Sequence, residues 1–151
     1  MIHIQVDEEF WLAVNTAEVR KAAKTACAVA ALPADSEFTI VITGNEQVRS
    51  LNREYRKIDN TTDVLSFPSD EKDPETGKGY LGDIIISHPR ASQQAARGGH
   101  SIQDEICLLV IHGTLHLAGH DHAEKAQEKA MFDLQREALK AMNISNKGFS
   151  K

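Results

Sequence analysis

The chain contains seven histidines, and four of them fall within His112-Gly113-Thr114-Leu115-His116-Leu117-Ala118-Gly119-His120-Asp121-His122. His112 and His116 stand four residues apart, so on a helix their rings lie one above the other on a single face. Such a pair is a two-point clamp for a tetrahedral metal ion. Gly119 can adopt the left-handed conformation that ends a helix and turns the chain back, and the turn lets His122 supply a third nitrogen. Leu108, Leu109, Ile111, Leu115 and Leu117 make the segment apolar over most of its surface, so the helix is expected to be buried. A lone histidine in such a helix is more often a satisfied core residue. Three at this spacing, around a glycine turn, point to one zinc ion per chain held by His112, His116 and His122. Three nitrogen ligands leave a fourth position for water, the pattern of a catalytic site rather than a closed structural one.

The same spacing occurs in the metzincin peptidases, HExxHxxGxxH, with Gly119 at the glycine position. Those enzymes need a glutamate beside the first histidine to take a proton from water, and this chain has Gly113 there. No methionine can be placed in the corresponding turn. A metalloprotease is therefore the poorer reading. The two cysteines, Cys27 and Cys107, lack a CxxC neighbour and sit in apolar helical stretches, so they are expected to be reduced, buried thiols.

The elements that must position these histidines follow from periodicity. Ile2 to Val6 alternates and is β-branched, so it is expected to be a strand. A helix follows over Thr16 to Leu32, with Val19, Ala22, Ala23, Ala26 and Ala30 on one stripe and Pro33 after its end. Glu37 to Thr43 is a second strand, and Thr43 with Glu46 resembles a capping pair for a helix reaching about Tyr55. Thr62 to Phe67 is a third strand, and Tyr80 to Ser87 a fourth. Between them lies a polar, turn-rich loop near 69–79 that buries too little apolar surface to order well. Ser87 can cap a helix with Pro89 in its first turn and Gly98-Gly99 after it. Ser101, with Asp104 and Glu105, opens the histidine helix, which runs to Gly119. A last helix covers Ala123 to Met142, and the tail 143–151 should fray.

Both early crossovers are expected to make parallel neighbours, and the polar loop an antiparallel pair. The prediction is one α+β domain over 1–142: a mixed, mostly parallel four-stranded sheet packed with about five helices. A length of 151 residues, 41% of them hydrophobic and 26% charged, suits one globular domain. No apolar run is long enough to span a bilayer, so no membrane partner is expected. The first residues lack the basic start and apolar centre of an export signal, which leaves a cytoplasmic location as the expectation. A net charge of -5 gives no global pull toward nucleic acid, so any RNA contact must rest on a local basic patch.

The histidine block, together with Leu51-Asn52-Arg53-Glu54-Tyr55-Arg56, Thr62-Asp63-Val64-Leu65-Ser66-Phe67-Pro68 and Leu81-Gly82-Asp83-Ile84, resembles the YbeY endoribonucleases of bacterial ribosomal RNA maturation. The blocks stand in the family's order and cover most of residues 51–122. The family commonly has tyrosine where this chain has His120. The resemblance implies a zinc-dependent, single-strand-specific endoribonuclease acting on ribosomal RNA precursor, notably at the 3′ end of the small-subunit RNA, and in ribosome quality control. It implies an α+β fold whose zinc lies in a cleft beside the sheet, and partners among ribosomal proteins or a ribosome-associated GTPase. The arginine of the family's Tyr-Arg pair maps onto Arg56, the expected catalytic residue outside the metal ligands. A zinc-containing ribosome-associated protein without catalysis is the rival reading.

Arg49, Arg53 and Arg56 share one helical face, with Val48, Leu51 and Tyr55 on the opposite face to pack it down. Arg49 and Arg53 are expected to form a solvated basic face. Arg56, at the helix end, could reach the cleft and hold a phosphate through its guanidinium fork. Asp83 is read equally as a partner to a zinc histidine or as a strand-edge carboxylate. Asp63 and Ser66 are expected to be structural. Glu105 lies roughly 10 Å along the axis from His112, too far for a proton relay, and is assigned to capping. His88 and His100 carry no resolvable signal.

Overall fold

The computed structural model describes residues 1–149. Along the chain it places β1 (Ile2–Val6), a short 3-10 helix (Glu8–Ala13), α1 (Thr16–Val29), β2 (Glu37–Thr43) and α2 (Asn45–Arg56). Then come β3 (Val64–Pro68), β4 (Tyr80–Ser87), α3 (His88–Gly98), α4 (Ile102–Leu117) and α5 (Lys125–Ala141). The four strands form one mixed sheet in the order β1-β2-β4-β3, an α+β domain as expected.

Local signals explain most boundaries. Asn15 caps α1 by accepting the Glu18 N–H, and Ser87 and Ser101 cap α3 and α4 in the same way. The Thr43–Glu46 pair does not form. Thr43 instead donates to Asp7 Oδ2 at 2.5 Å across from the end of β1, and α2 starts after Gly44 with no side-chain cap. The 3-10 helix was not foreseen, since its six residues carry no helical periodicity.

β1, α1 and β2 make a parallel crossover, and β2 runs parallel to β4. The second crossover departs from expectation. β3 does not neighbour β2 but lies outside β4, antiparallel to it, at the sheet edge. The loop 69–79 joins β3 and β4 as an antiparallel pair, and β4 rather than β3 takes the place beside β2. The loop 69–79 is exposed and closes on itself, with Asp73 N–H bonded to Lys78 O and Tyr80 N–H to Glu71 O.

Alternation assigns the faces. Ile2, Phe38, Ile40, Ile42, Ile84 and Ile86 point to the main core, against Val19, Ala22, Ala23 and Ala26 of α1, most of α4, and Met131, Ala138 and Leu139 of α5. The opposite face carries α2 through Val48, which packs with Leu65 and Ile85 and with the partly buried Val41, Leu51 and Phe67. Tyr55 does not join this packing as expected. It is 63% exposed, because the last turn of α2 runs past the edge of the sheet. Cys27 and Cys107 are free and buried, and burial pushes the Cys107 thiol up to about 11. The tail was expected to fray, yet Ile144 and Phe149 pack on the core. Its last two positions lie outside the described residues.

Candidate active site

Helix α4 is buried from Glu105 through Leu115, and its C-terminal end opens onto a cleft of about 520 Å³. From the helix and the following turn come His112, His116, Gly119, His120, Asp121 and His122. From across the cleft come Arg56, Thr62, Asp63, Val64, Ser66 and Pro68. Gly119, at φ 99°, ends the helix, with His120 N–H returning to Leu115 O at 3.0 Å. That reversal brings His122 back over the other two rings.

One nitrogen each from His112, His116 and His122 lies within 4.8 Å of the others. The Nε2 atoms of His112 and His116 are 3.2 Å apart. The ring of His122 stands 5.8 Å from that of His112 and 5.3 Å from that of His116, centre to centre. His112 is buried, His116 half-buried and His122 exposed, so the cluster is rooted in the core and open at the cleft mouth.

His112 has a buried partner that sequence reasoning missed. Oε1 of Gln135, itself 2% exposed on α5, lies 2.9 Å from His112 Nδ1. An amide oxygen only accepts, so Nδ1 donates, and this tautomer puts the lone pair on Nε2, the atom that faces His116. A second hydrogen bond of this kind is what orients a metal-bound histidine. The donor set and its second hydrogen bond therefore fit a divalent metal that accepts neutral imidazoles, zinc foremost among them.

Asp83 does not take this role. It accepts from the Tyr80 hydroxyl at 2.6 Å and pairs in register with Thr39 and Phe67 on the far side of the sheet. Burial and this carboxylate push the Tyr80 phenol up to about 12. Nor does Glu105 simply cap α4. It is 1% exposed and accepts a 2.6 Å hydrogen bond from His100 Nε2, whose ring also contacts Phe149. His88, too, is built in: it stacks on Phe10 at 4.5 Å, and burial lowers its pKa.

The glycine where a peptidase has its glutamate has a packing cause. A Cβ at Gly113 would sit 2.8 Å from Ile84 Cγ2, so α4 approaches β4 more closely there than any side chain permits. A residue at 113 also projects into the sheet rather than into the cleft.

Arg56 reaches the cleft as expected. Its guanidinium donates to Ser66 O at 3.0 Å, which fixes the group at the cleft wall. The neighbouring arginines behave as the expected exposed face. Arg49 pairs with Asp59 at 2.8 Å and Arg53 lies 3.9 Å from the same carboxylate. Asp63 and Ser66 hold the wall together. Asp63 is 4% exposed and accepts from Val64 N–H and from Gln94, and Ser66 Oγ donates to Gly113 O at 3.5 Å.

The edge strand itself is partly closed. Ser69 N–H bonds to Leu81 O and Ser87 N–H to Asp63 O, so the odd-numbered residues face β4 and Val64 and Ser66 face outward. Of those outward groups, the Val64 N–H goes to Asp63 Oδ1 and the Ser66 carbonyl takes Arg56.

Comparison with known proteins agrees with this arrangement. The family model described as Endoribonuclease YbeY matches residues 3–143. A protein of that name from Dehalococcoides mccartyi (strain CBDB1) is 40% identical, covering 92% of this chain and 91% of the relative. One from Shouchella clausii is 38% identical, over 95% and 97% of the two chains. A Thermotoga maritima protein solved in solution superposes with a TM-score of 0.62 at 25% identity, over 93% of this chain and 87% of the other. The chain belongs to the YbeY endoribonuclease family.

Proposed function

We propose that this protein is a zinc-dependent endoribonuclease that hydrolyses single-stranded RNA, with ribosomal RNA precursor as its substrate and the small-subunit 3′ end as its place of action. The observation that carries the reading is one cleft holding three convergent histidines on one wall and a fixed arginine on the other, in a member of this family.

The residues divide the work. His112, His116 and His122 would hold the ion, and Gln135 keeps His112 in the tautomer that can bind it. When bound, zinc supplies Lewis-acid polarisation of a phosphoryl oxygen and of water. Arg56 stands ready to hold a phosphate. One N–H group is spent on Ser66 O, and its remaining donors can fork onto two phosphoryl oxygens as negative charge grows in the transition state. With Gly113 packed on Ile84, no side chain at that position can act as base, so catalysis rests little on proton transfer there and much on charge stabilisation.

A peptidase reading is weakened by the same details. An extended peptide would have to pair with an open strand edge beside the metal, and Arg56 and Asp63 occupy part of that edge. A purely structural metal is disfavoured by a three-histidine set at the mouth of an open cleft. The cytoplasm and a ribosome-bound setting, with ribosomal proteins or a GTPase as guides, belong to this proposal.

The test is cleavage of a single-stranded and a duplex form of one RNA by purified protein, before and after chelation and zinc return. Cleavage of the single strand that chelation abolishes and zinc restores is expected. Equal cleavage of both forms, or activity indifferent to chelation, would overturn it.

A further inference from the structure

The last turn of α2 straddles the sheet edge. On one side Arg56 donates to Ser66 O and lines the cleft. On the other, Tyr55 lays its ring 5.4 Å from that of Phe67, tilted by 58°, while remaining 63% exposed. The Arg56 guanidinium carbon lies 5.8 Å from the centre of the same Phe67 ring. One cation and two rings thus share a single lip, which begins where the metal cleft ends. Tyr55 touches the core under α2 only through the Phe67 ring, and most of its own ring is left open to solvent. Arg53 and Lys57 flank the turn, both exposed, together with the exposed Glu54 and with Asp59 3.9 Å from Arg53.

We propose that Tyr55, backed by Phe67, is a stacking platform for one unpaired base of the RNA, next to the phosphate held by Arg56. The inference rests on the RNA-cleaving reading above and deepens it. A flat, exposed ring beside a phosphate-binding arginine suits a nucleotide, because each nucleotide presents a π-face and an anion at adjacent positions. It also supplies a physical reason for single-strand preference. A base in a duplex is already stacked on both faces and cannot be offered to Tyr55 without unpairing. Tyr55 is a positioning residue here: it holds the strand so that the scissile phosphate meets Arg56, and it takes no part in bond breaking.

The test compares wild type, Tyr55→Ala and Tyr55→Phe on a single-stranded RNA carrying one abasic nucleotide, moved stepwise across the cleavage site. Both binding, by fluorescence anisotropy, and cleavage are recorded. Tyr55→Ala should bind and cleave intact RNA about 5- to 100-fold less well, chiefly through KM, with its melting temperature and metal content unchanged. Tyr55→Phe keeps the ring and should stay close to wild type. At one abasic position wild type should fall to the level of Tyr55→Ala, and the variant should lose nothing further. If Tyr55→Ala binds intact RNA as well as wild type does, or if no abasic position removes the difference, the platform is wrong. Loss of binding in Tyr55→Ala with no cleavage by wild type would uphold the platform and sink the nuclease reading instead. Normal cleavage with unaffected binding would do the reverse.

Discussion

A buried histidine contact lies near each end of α4, and the two use opposite partners. Near the start, His100 Nε2 donates to the carboxylate of Glu105 at 2.6 Å, with both side chains largely sealed from solvent and the Phe149 ring against the imidazole. Near the other end, His112 Nδ1 meets the neutral amide of Gln135 at 2.9 Å, and its second nitrogen faces the cleft histidines. The carboxylate pins His100 in the interior beneath Phe149, away from the cleft. An amide orients the ring while adding no negative charge, so the charge of a bound cation stays available to a phosphate. A histidine used as a fastener thus closes on the start of α4, and a histidine prepared as a ligand stands near its end. The place of the second ring nitrogen, buried for His100 and facing the cleft for His112, makes the difference.

The sharpest way to break this contrast is to remove the fastener. Glu105→Ala deletes one member of a buried pair and should cost about 3 kcal/mol of stability, read by chemical denaturation, with metal content of the folded fraction unchanged. Loss of metal at full stability would show that the two ends of α4 are not separate. Arg56→Ala should do the complementary thing. Removing one preorganised donor from a developing negative charge is expected to lower kcat roughly 100-fold or more, while metal content and melting temperature hold. Arg56→Lys should recover only part of the loss, since it keeps the charge and not the fork. Full activity in the alanine variant would remove Arg56 from the site.

Gln135→Leu addresses the ligand end itself. It keeps the volume and deletes the acceptor of the His112 N–H, so zinc affinity should drop about 10- to 100-fold in a competitive chelator titration. Unchanged affinity would reduce Gln135 to a packing residue. The smallest effect concerns the far face of the sheet. Because burial and Asp83 raise the Tyr80 phenol to about 12, the folded protein holds that proton at pH values where the unfolded chain has released it. The stability this contributes is complete below about pH 10 and is lost as the pH rises through 12. Melting temperatures from pH 9 upward should therefore fall more steeply in wild type than in Tyr80→Phe, and parallel curves would contradict the assignment.

Much of this site was legible in the sequence because its signals are local. The i,i+4 pair, the glycine turn and His122 all fall within eleven residues, and helical periodicity alone brings them together. Arg56 is singled out by the family resemblance together with its place at a helix end, and it lines the cleft. What stayed hidden depends on contacts between distant segments. Gln135 lies 23 residues beyond His112 on another helix, with no spacing rule to connect them. The place of β3 outside β4 depends on which strand pairs with β2, which alternation does not encode. Tyr55 falls on the apolar face of α2 by periodicity, but periodicity does not say where the sheet beneath it stops. Glu105 looked like a first-turn acid that favours a helix start, and only the fold shows that His100 closes over it.

On the proposed function, RNA cleavage depends on a metal held by His112, His116 and His122 together. Zinc content and single-strand RNA cleavage should be measured side by side on wild type, His116→Ala and the more exposed His122→Ala. About one zinc per wild-type chain is expected, with little or none in either variant and cleavage lost in proportion. Zinc should also leave the wild type as the pH falls, because only neutral imidazole binds metal. Zinc bound equally by wild type and both variants, or cleavage that persists in a variant without metal, would contradict it.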